Sequence, residues 1–333
     1  MCKELPKVTL TVAIPTYRRP AELRRALEAL VNQDRKADEV IVVARKGDDA
    51  TLRAAQEFSS TLPLKLELVE RPGMVEAVNR ALDRAASDVI ALTDDDAVPH
   101  ADWTRRIVQV YEDEPDLAGL GGRDRILQKD GAWDEGYAPV VGKVRWYGRT
   151  FGYHHHGAGP RREVDCLKGV NMSFRRTALG ELRMDPRLRG AGAQCHCDFK
   201  LCLELRAQGK RLAYDPSILV DHFPAPRHDE DQRAGFNALA YENEIHNMTL
   251  ALLEYLRLAG RAVLLPYALL IGVWNGYCGL LKGLLSSPRI GIRRAWQKTA
   301  ASARGVIAGW KTCRSGKGRS TKKTAGDRRV EIA

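Results

Sequence analysis

The sequence predicts an α/β protein with a mainly parallel, doubly wound sheet. Three observations support this fold class. Segments typical of strands alternate with helical segments of about 12 residues, which is the order of βαβ units. The second strand segment, EVIVVA at 39–44, is continuously apolar, as in a parallel strand buried on both faces. The chain has 333 residues and a hydrophobic fraction of 44%, which is enough for a large packed domain with an appendage.

The N-terminal part of the chain defines the alternation. The β-branched run before Pro15 predicts a first strand that the proline ends. Apolar residues at helical spacing, among them Leu23, Leu27 and Leu30, predict a helix over 21–32. By the same criteria we expect strands at 39–44, 64–69 and 88–93 and helices at 48–59 and 73–86. Ligands of such sheets bind beyond the carboxyl ends of the strands, so residues that follow a strand are candidate site residues.

The second half of the chain is less regular. We expect strands at 117–121, 166–175 and 211–214 and helices at 103–112, 198–208 and 237–258. Segment 142–159 is rich in glycine, aromatic residues and histidine, and it predicts a long loop. The seven cysteines are odd in number and irregularly spaced, so we expect a reducing compartment rather than a disulfide framework.

Three consecutive carboxylates, Asp94, Asp95 and Asp96, follow the strand predicted at 88–93. Carboxylates at the end of a buried strand repel one another, and a bound cation removes that cost. Mg²⁺ or Mn²⁺ suits these oxygen ligands and keeps positions open for phosphate oxygens. The competing interpretation is an acidic turn or a helix N-cap before Pro99. We favour the metal site because the run ends the fourth strand of an alternating series.

Four motifs, in order along the chain, resemble those of family 2 glycosyltransferases with the GT-A fold. They are VAIPTYRRPAELRRALEAL at 12–30, RPGMVEAVNRAL at 71–82, TDDDAVP at 93–99 and CLKGVNMSFRR at 166–176. The resemblance extends over residues 8–233. It implies a GT-A domain over 1–233, with a nucleotide half at 8–125 and an acceptor half at 126–233.

The resemblance also implies roles for single residues. Asp94 and Asp96 match the ends of the family's DxD motif, which binds the metal and the diphosphate of a sugar nucleotide. Asp95 is expected to contact the ribose or the metal. Further contacts to the nucleotide and its sugar are implied for Pro15, Thr16, Tyr17, Arg71 and Asn79. One position departs from the family, since Ala44 stands where many members have an aspartate that contacts the base.

The departure at Ala44 leaves the nucleobase open. Arg45 follows it, and Asp48 or Asp49 are the carboxylates near enough in sequence to substitute for the missing aspartate. We therefore make no prediction of the donor's base or sugar.

A second carboxylate is needed for chemistry, because inverting sugar transfer requires a base that takes the proton of the acceptor hydroxyl. Family members carry this base in a Glu-Asp pair that opens a helix. Asp198 matches the aspartate of that pair, and Cys197 replaces the glutamate. An aspartate at a helix start is also an ordinary N-cap, so the family match carries this assignment. His222 matches a histidine near the metal and is expected to bind the metal or the diphosphate.

Three other polar clusters have competing interpretations. His154–His156 form either a polar loop or an active-site lid that contacts the diphosphate or the acceptor. Cys195 and Cys197, with His196 between them, suggest zinc, but they are too close in sequence and lack a second ligand pair. Arg233 either reaches the diphosphate or belongs to a solvated helix face.

Residues 262–281 carry no charge, and a stretch of about 20 residues is long enough to span a bilayer core. Pro266, Gly272, Asn275 and Gly276 interrupt it. Three interpretations stay open: a re-entrant or interfacial membrane segment, a single span, or a buried pair of helices. From Lys282 onward 14 Lys and Arg residues stand against two acidic ones, although the whole chain has a net charge of only +11. This localised basicity favours an anionic membrane surface over nucleic acid as partner.

These observations predict a helical, membrane-associated region over 234–310 and a basic disordered tail over 311–333. No signal peptide is visible, so we expect a protein at the cytoplasmic face of the membrane. The expected function is metal-assisted, inverting transfer of a sugar from a nucleotide-sugar donor to a hydroxyl of a saccharide or lipid-linked acceptor. The alternatives are a nucleotidyltransferase, disfavoured because no glycine-rich loop follows the first strand, and a non-catalytic nucleotide- or glycan-binding domain. The sequence does not indicate an oligomeric state.

Overall fold

The computed structural model describes residues 7–128, 130–230 and 235–316. Over these residues, nine strands form one mixed sheet, flanked by helices, and two more form a small ribbon. The strands are β1 (Leu10–Thr16), β2 (Glu39–Arg45), β3 (Leu64–Val69), β4 (Val89–Thr93), β5 (Ala97–Pro99), β6 (Leu117–Ile126), β7 (Lys143–Val144), β8 (Thr150–Phe151), β9 (Arg162–Val164), β10 (Asn171–Arg175) and β11 (Arg211–His222).

Ten α-helices lie within the described ranges, and a 3₁₀-helix lies at His154–His156. The α-helices are α1 (Pro20–Val31), α2 (Asp49–Gln56), α3 (Met74–Arg84), α4 (Trp103–Asp113), α5 (Arg176–Leu179), α6 (Cys197–Ala207), α7 (Ala238–Tyr255), α8 (Leu258–Leu270), α9 (Leu280–Ile290) and α10 (Ile292–Ser315). The alternation predicted for the first half is confirmed, because β1 to β4 are separated by α1, α2 and α3.

The strand order of the main sheet is β3-β2-β1-β4-β10-β6-β11-β5. The first four strands in this order pair in parallel, as predicted. β10 is inserted antiparallel between β4 and β6, so the sheet is mixed beyond β4. Because β10 runs in the opposite direction, its first residue, Asn171, lies opposite Thr93 at the end of β4. The loop before β10 therefore comes to the same sheet edge as the three aspartates.

The predictions for the second half need correction. β11 has 12 residues and ends at His222, whereas the sequence predicted only 211–214. Pro216 interrupts the strand pattern in the sequence, and the register between β11 and β6 shifts between Asp215 and Leu219. β10 begins at Asn171 rather than at 166, and the predicted loop at 142–159 contains β7, β8 and the 3₁₀-helix.

The C-terminal helices share a hydrophobic core with the sheet domain. Ile245, Leu250 and Leu252 of α7 are completely buried in the same cluster as Phe174 of β10. The predicted appendage is therefore packed onto the domain by α7, and α10 packs against α7 in turn. The predicted tail is wrong for its first residues, since α10 continues to Ser315, and residues 317–333 lie outside the described ranges.

The uncharged stretch 262–281 is not one continuous helix. It is divided between α8 and α9, with residues 271–279 between them. Among the helices of the described residues, none combines the length and the hydropathy needed to cross a membrane. Within residues 262–281, all of which are described, α8 and α9 thus do not form one continuous span.

Candidate active site

A cavity of about 680 Å³ lies at the carboxyl edge of β1, β2 and β4. The loop before β10, the start of α6 and the 3₁₀-helix form its other walls. Most of the residues predicted for the site line this cavity, namely Pro15, Thr16, Tyr17, Arg71, Asp94, Asp95, Asp96, Asp198 and His222. The fold thus brings together, around one cavity, residues as far apart in sequence as Pro15 and His222.

Asn79 is the predicted site residue that does not line the cavity. Its side-chain amide donates to the backbone oxygen of Met184 at 2.9 Å and accepts from the backbone nitrogen of Met184 at 2.8 Å. Both polar ends of the amide are therefore engaged in holding α3 to the segment before α6. Arg71 does border the cavity, but its side chain is 80% exposed and pairs with Glu76 at 2.8 Å.

Asp94, Asp96 and His222 form a group of potential metal ligands. Their ligand atoms all lie within 4.8 Å of one another, and Nε2 of His222 is 3.3 Å from Oδ1 of Asp96. Burial raises the pKa of Asp94, and repulsion from Asp96 raises it further. These carboxylates carry an electrostatic cost that a divalent cation would relieve, so the residues present fit a metal site.

His222 lies between two buried carboxylates. Burial alone would lower its pKa, but its contacts with Asp124 and Asp96 outweigh burial and raise the pKa to about 9. Nδ1 of His222 is 3.6 Å from Oδ2 of Asp124, and that carboxylate also pairs with Lys168. Asp124 and Lys168 thus fix the ring of His222 from behind, which is the usual role of outer-shell groups at metal sites.

Asp95 has a different environment from its two neighbours. Its Oδ1 pairs with Nη1 of Arg19 at 2.7 Å, and its Oδ2 accepts from the hydroxyl of Thr16 at 2.8 Å. Burial raises the pKa of Asp95 to about 7, against the attraction of Arg19. Because both carboxyl oxygens are engaged, Asp95 ties the end of β4 to the end of β1.

Sequence reasoning missed Arg19, Asp124 and Lys168. Arg19 follows β1 within the first family-like motif, and Lys168 is the third residue of CLKGVNMSFRR, so their motifs were a usable signal. Asp124 had no such signal, since its place beside His222 depends on the parallel pairing of β6 with β11.

Asp198 lies in the first turn of α6, whose N-cap is His196 rather than Asp198. Its Oδ2 accepts a hydrogen bond of 2.8 Å from the backbone nitrogen of Gly169, in the loop before β10. The simple N-cap interpretation is therefore wrong, and the carboxylate instead bridges α6 to the loop beside the metal-ligand group. Cys197 is buried in the core, and none of the candidate metal groups of the described residues includes a cysteine.

The end of β2 lacks the carboxylate that many family members have there, and other charged residues surround it. Ala44 is fully buried, whereas Arg45 reaches the cavity and places its guanidinium 3.7 Å from the ring centroid of Tyr17. Arg45 also pairs with Asp229 at 2.5 Å. The predicted substitute Asp48 instead accepts from the backbone nitrogen of Arg18 at 2.5 Å, and it does not line the cavity. The carboxylate at this end thus comes from Asp229.

Of the three consecutive histidines, His154 is buried and the other two are half-buried. His154 is buried, and its Nε2 lies 3.0 Å from the backbone oxygen of Cys166. Burial lowers the pKa of His154 to about 4, so its imidazole is neutral at physiological pH. His154 and His155 both line the cavity, and they do so as part of a short helix that forms its wall.

The fold and the ligand group define a transferase of the GT-A type. A model of glycosyltransferase-like family 2 matches residues 6–236, and the chain belongs to this family. It is therefore a glycosyltransferase, and the fold class expected from the sequence is confirmed. A curated relative, the glucosyl-dolichyl phosphate glucuronosyltransferase of Haloferax volcanii, is 25% identical over 224 residues, which cover 65% of this chain and 69% of the relative.

Two solved structures share the fold. The mannosyltransferase PcManGT from Pyrobaculum calidifontis, in complex with GDP-Man and Mn²⁺, has a TM-score of 0.54 at 20% identity; the match covers 93% of this chain and 88% of that one. Residues 1–349 of TarS from S. aureus, in complex with UDP-GlcNAc, have a TM-score of 0.60 at 14% identity, with coverages of 92% and 91%.

Proposed function

We infer that this protein is an inverting glycosyltransferase that moves a sugar from a nucleotide-sugar donor to a hydroxyl of a lipid-linked saccharide. The observation that carries the proposal is the meeting of two functional groups on one cavity. Asp94, Asp96 and His222 form one group, and Asp198 of α6 lines the same cavity. One group suits the diphosphate of a donor, and the other suits proton removal from an acceptor.

The donor end of the cavity would hold the diphosphate and the nucleoside. Asp94, Asp96 and His222 would ligate Mn²⁺ or Mg²⁺, and the bound ion would support the negative charge of the departing diphosphate. The nucleoside would lie along Pro15, Thr16 and Tyr17, near Arg71. Asp95 would hold this segment in place through its bond with Thr16. Complexes of the similar mannosyltransferase with GDP-Man and Mn²⁺, and of TarS with UDP-GlcNAc, support a nucleotide-sugar donor.

The proposed base is Asp198. One of its oxygens accepts from the Gly169 amide, so the carboxylate is fixed in direction while it lines the cavity. Asp198 would take the proton of the acceptor hydroxyl as its oxygen attacks the anomeric carbon. Attack opposite the departing diphosphate inverts that carbon, and no covalent sugar–enzyme intermediate is required.

The proposed acceptor is lipid-linked, and the proposed location is the cytoplasmic face of a membrane. The relative from Haloferax volcanii is named for a dolichyl-phosphate substrate, which supports a lipid carrier. The surface of α8, α9 and their connection exposes large apolar side chains: Leu270, Ile271, Val273, Leu280, Leu281, Leu284 and Leu285. Arg289, Arg293 and Arg294 follow them directly, so apolar insertion and attraction to anionic lipid are available together.

Asp198→Asn tests the proposal directly. We expect kcat for transfer to fall by at least about 10³-fold, because the amide cannot accept the proton, while donor binding stays within about twofold. Asp96→Asn should instead abolish the Mn²⁺-dependent thermal stabilisation by the nucleotide. Asp215→Asn, a carboxylate outside the cavity, is the matched control. Full turnover by Asp198→Asn would contradict the assignment, and pyrophosphate release from a nucleoside triphosphate and a sugar phosphate would indicate a nucleotidyltransferase.

A further inference from the structure

A second group of potential metal ligands lies beside the cavity, outside the site assigned above. It consists of Asp134, His155 and His156, whose ligand atoms lie within 4.8 Å of one another. Nε2 of His156 is 2.9 Å from Oδ1 of Asp134, and Nε2 of His155 is 3.8 Å from Oδ2. Ligands bound at about 2.1 Å to one ion stand about 3 to 4 Å apart, so a small inward adjustment would satisfy all three.

The backbone holds these three ligands in place. The nitrogen of Asp134 donates to Ile126, at the end of β6, at 2.8 Å. The oxygen of His156 accepts from the nitrogen of Ala138 at 2.8 Å, and the oxygen of His155 accepts from Nε of Arg123 at 2.8 Å. Hydrogen bonds to their backbone atoms therefore hold the three ligands between β6 and the 3₁₀-helix.

Gly136 leaves the space that the ring of His156 occupies. A Cβ atom at position 136 would lie 2.5 Å from Nε2 of His156, which is closer than a side chain tolerates. A larger residue at 136 would push the imidazole away from Asp134. The absence of a side chain at this position is thus a condition for the convergence of the three groups.

The donor set indicates the class of ion. Two imidazoles and one carboxylate are borderline ligands that suit Zn²⁺, Co²⁺ or Ni²⁺, whereas Mg²⁺ and Ca²⁺ prefer oxygen. The two rings, with centroids 3.9 Å apart, share a single carboxylate, and one bound cation would satisfy both.

The geometry points to a second divalent-metal site at Asp134, His155 and His156, which binds zinc-class ions independently of the donor metal. An ion there would join the segment after β6 to the 3₁₀-helix. Since His155 also lines the cavity, the ion would fix one wall of the active site. Three protein ligands also leave coordination positions for water or a substrate oxygen.

Metal titration of tag-free protein tests the site without relying on enzyme activity. In an Asp94→Asn/Asp96→Asn background, which lacks the donor-metal carboxylates, calorimetry with Zn²⁺ should still show one tight equivalent. Adding His155→Gln/His156→Gln should weaken Zn²⁺ binding by at least about 100-fold. A smaller loss is typical of residues that contact a metal ligand rather than the metal itself. His100→Gln is the matched control, because His100 pairs with one carboxylate, Asp221, at 3.1 Å without a second histidine.

Several results would overturn the proposal. The first is that the Asp94→Asn/Asp96→Asn variant binds no Zn²⁺ even though its thermal melt shows that it is folded. The second is an intense thiolate-to-metal absorption with Co²⁺, which would locate the ion at a cysteine. If the background variant does not fold, the unmodified protein and its His155→Gln/His156→Gln variant are compared instead. The unmodified protein should bind two equivalents of Co²⁺, and the variant should bind one. Two equivalents remaining there would equally refute the site.

Discussion

Three adjacent aspartates lie in different environments because their side chains meet different neighbours. Asp94 borders the cavity among the potential metal ligands, and Asp96 reaches His222 and the Ala225 amide. Asp95 turns towards Arg19 and Thr16. The sequence alone indicated a metal at this run. The family resemblance separated Asp95 from Asp94 and Asp96, but it could not give Asp95 its contacts with Thr16 and Arg19, which depend on the tertiary structure.

Glu39 provides a pH-dependent test at the residue scale. It is 5% exposed at the start of β2, and its Oε2 accepts from the hydroxyl of Thr11 at 2.6 Å and from the Ala86 amide at 3.0 Å. Burial alone would raise its pKa, but the bonds from Lys65, Thr11 and Ala86 outweigh burial and lower it. A carboxylate whose pKa is lowered by folding stabilises the fold above its unfolded pKa, and it loses that contribution as the pH falls.

We therefore expect Glu39→Gln to lower the free energy of unfolding by about 1–2 kcal/mol at pH 7. The difference from the unmodified protein should shrink once the pH falls below about 4, where the unfolded carboxyl is protonated. Urea denaturation at a series of pH values measures both quantities. A difference that stays constant down to pH 3 would show that the charge of Glu39 is not what matters.

At the scale of elements, α6 is anchored by a buried ion network two residues after Asp198. The ammonium of Lys200, in a side chain only 2% exposed, lies 2.7 Å from Glu254 of α7 and 3.1 Å from Asp185. Arg187 joins the same carboxylates, and Glu204 pairs with Lys200 one turn along the helix. This network fixes the helix that carries the proposed base to the C-terminal helices.

Lys200→Met should destabilise the fold by about 3–5 kcal/mol, because it leaves the buried carboxylates of Asp185 and Glu254 with Arg187 as their one remaining cation in the network. Glu204→Gln is the comparison, since its side chain is 26% exposed and its removal keeps the cation paired, and it should cost less than about 1 kcal/mol. Chemical denaturation of both variants gives the two values. Equal costs would mean that Lys200 acts through packing rather than charge.

The elements also show where sequence reasoning reaches its limit. The strands β1 to β4 were predictable because each is a local apolar run between helices of clear periodicity. β10 and β11 were mispredicted in extent because their pairing is non-local: β10 is antiparallel to its neighbours, and β11 continues past Pro216. Asp198 was found through its motif, whereas Asp124 and Asp229 become site neighbours only through tertiary structure.

At the scale of the whole molecule, the apolar surface of α8 and α9 predicts reversible membrane attachment. Vesicles that contain anionic lipid should bind the protein, and neutral vesicles should bind it several-fold less. Raising the salt concentration should weaken the binding, since the basic residues interact through screened charge. Sedimentation with vesicles of the two compositions measures this directly.

Leu284→Ser/Leu285→Ser should reduce vesicle binding by about tenfold or more, because both side chains are more than half exposed and would leave the lipid. Leu68→Ser, at a leucine of β3 that is 45% exposed, is the matched control and should leave binding unchanged. If both variants bind alike, the attachment surface lies elsewhere.

The position of β11 in the sheet determines when the group of potential metal ligands can assemble during folding. Asp94 and Asp96 are synthesised well before His222. They meet His222, which contacts Asp124 and through it Lys168, only once β11 lies between β6 and β5. A nascent chain that ends before residue 222 thus has carboxylates without their histidine. Any metal affinity that depends on His222 as well as on Asp94 and Asp96 therefore requires that β11 has joined the sheet.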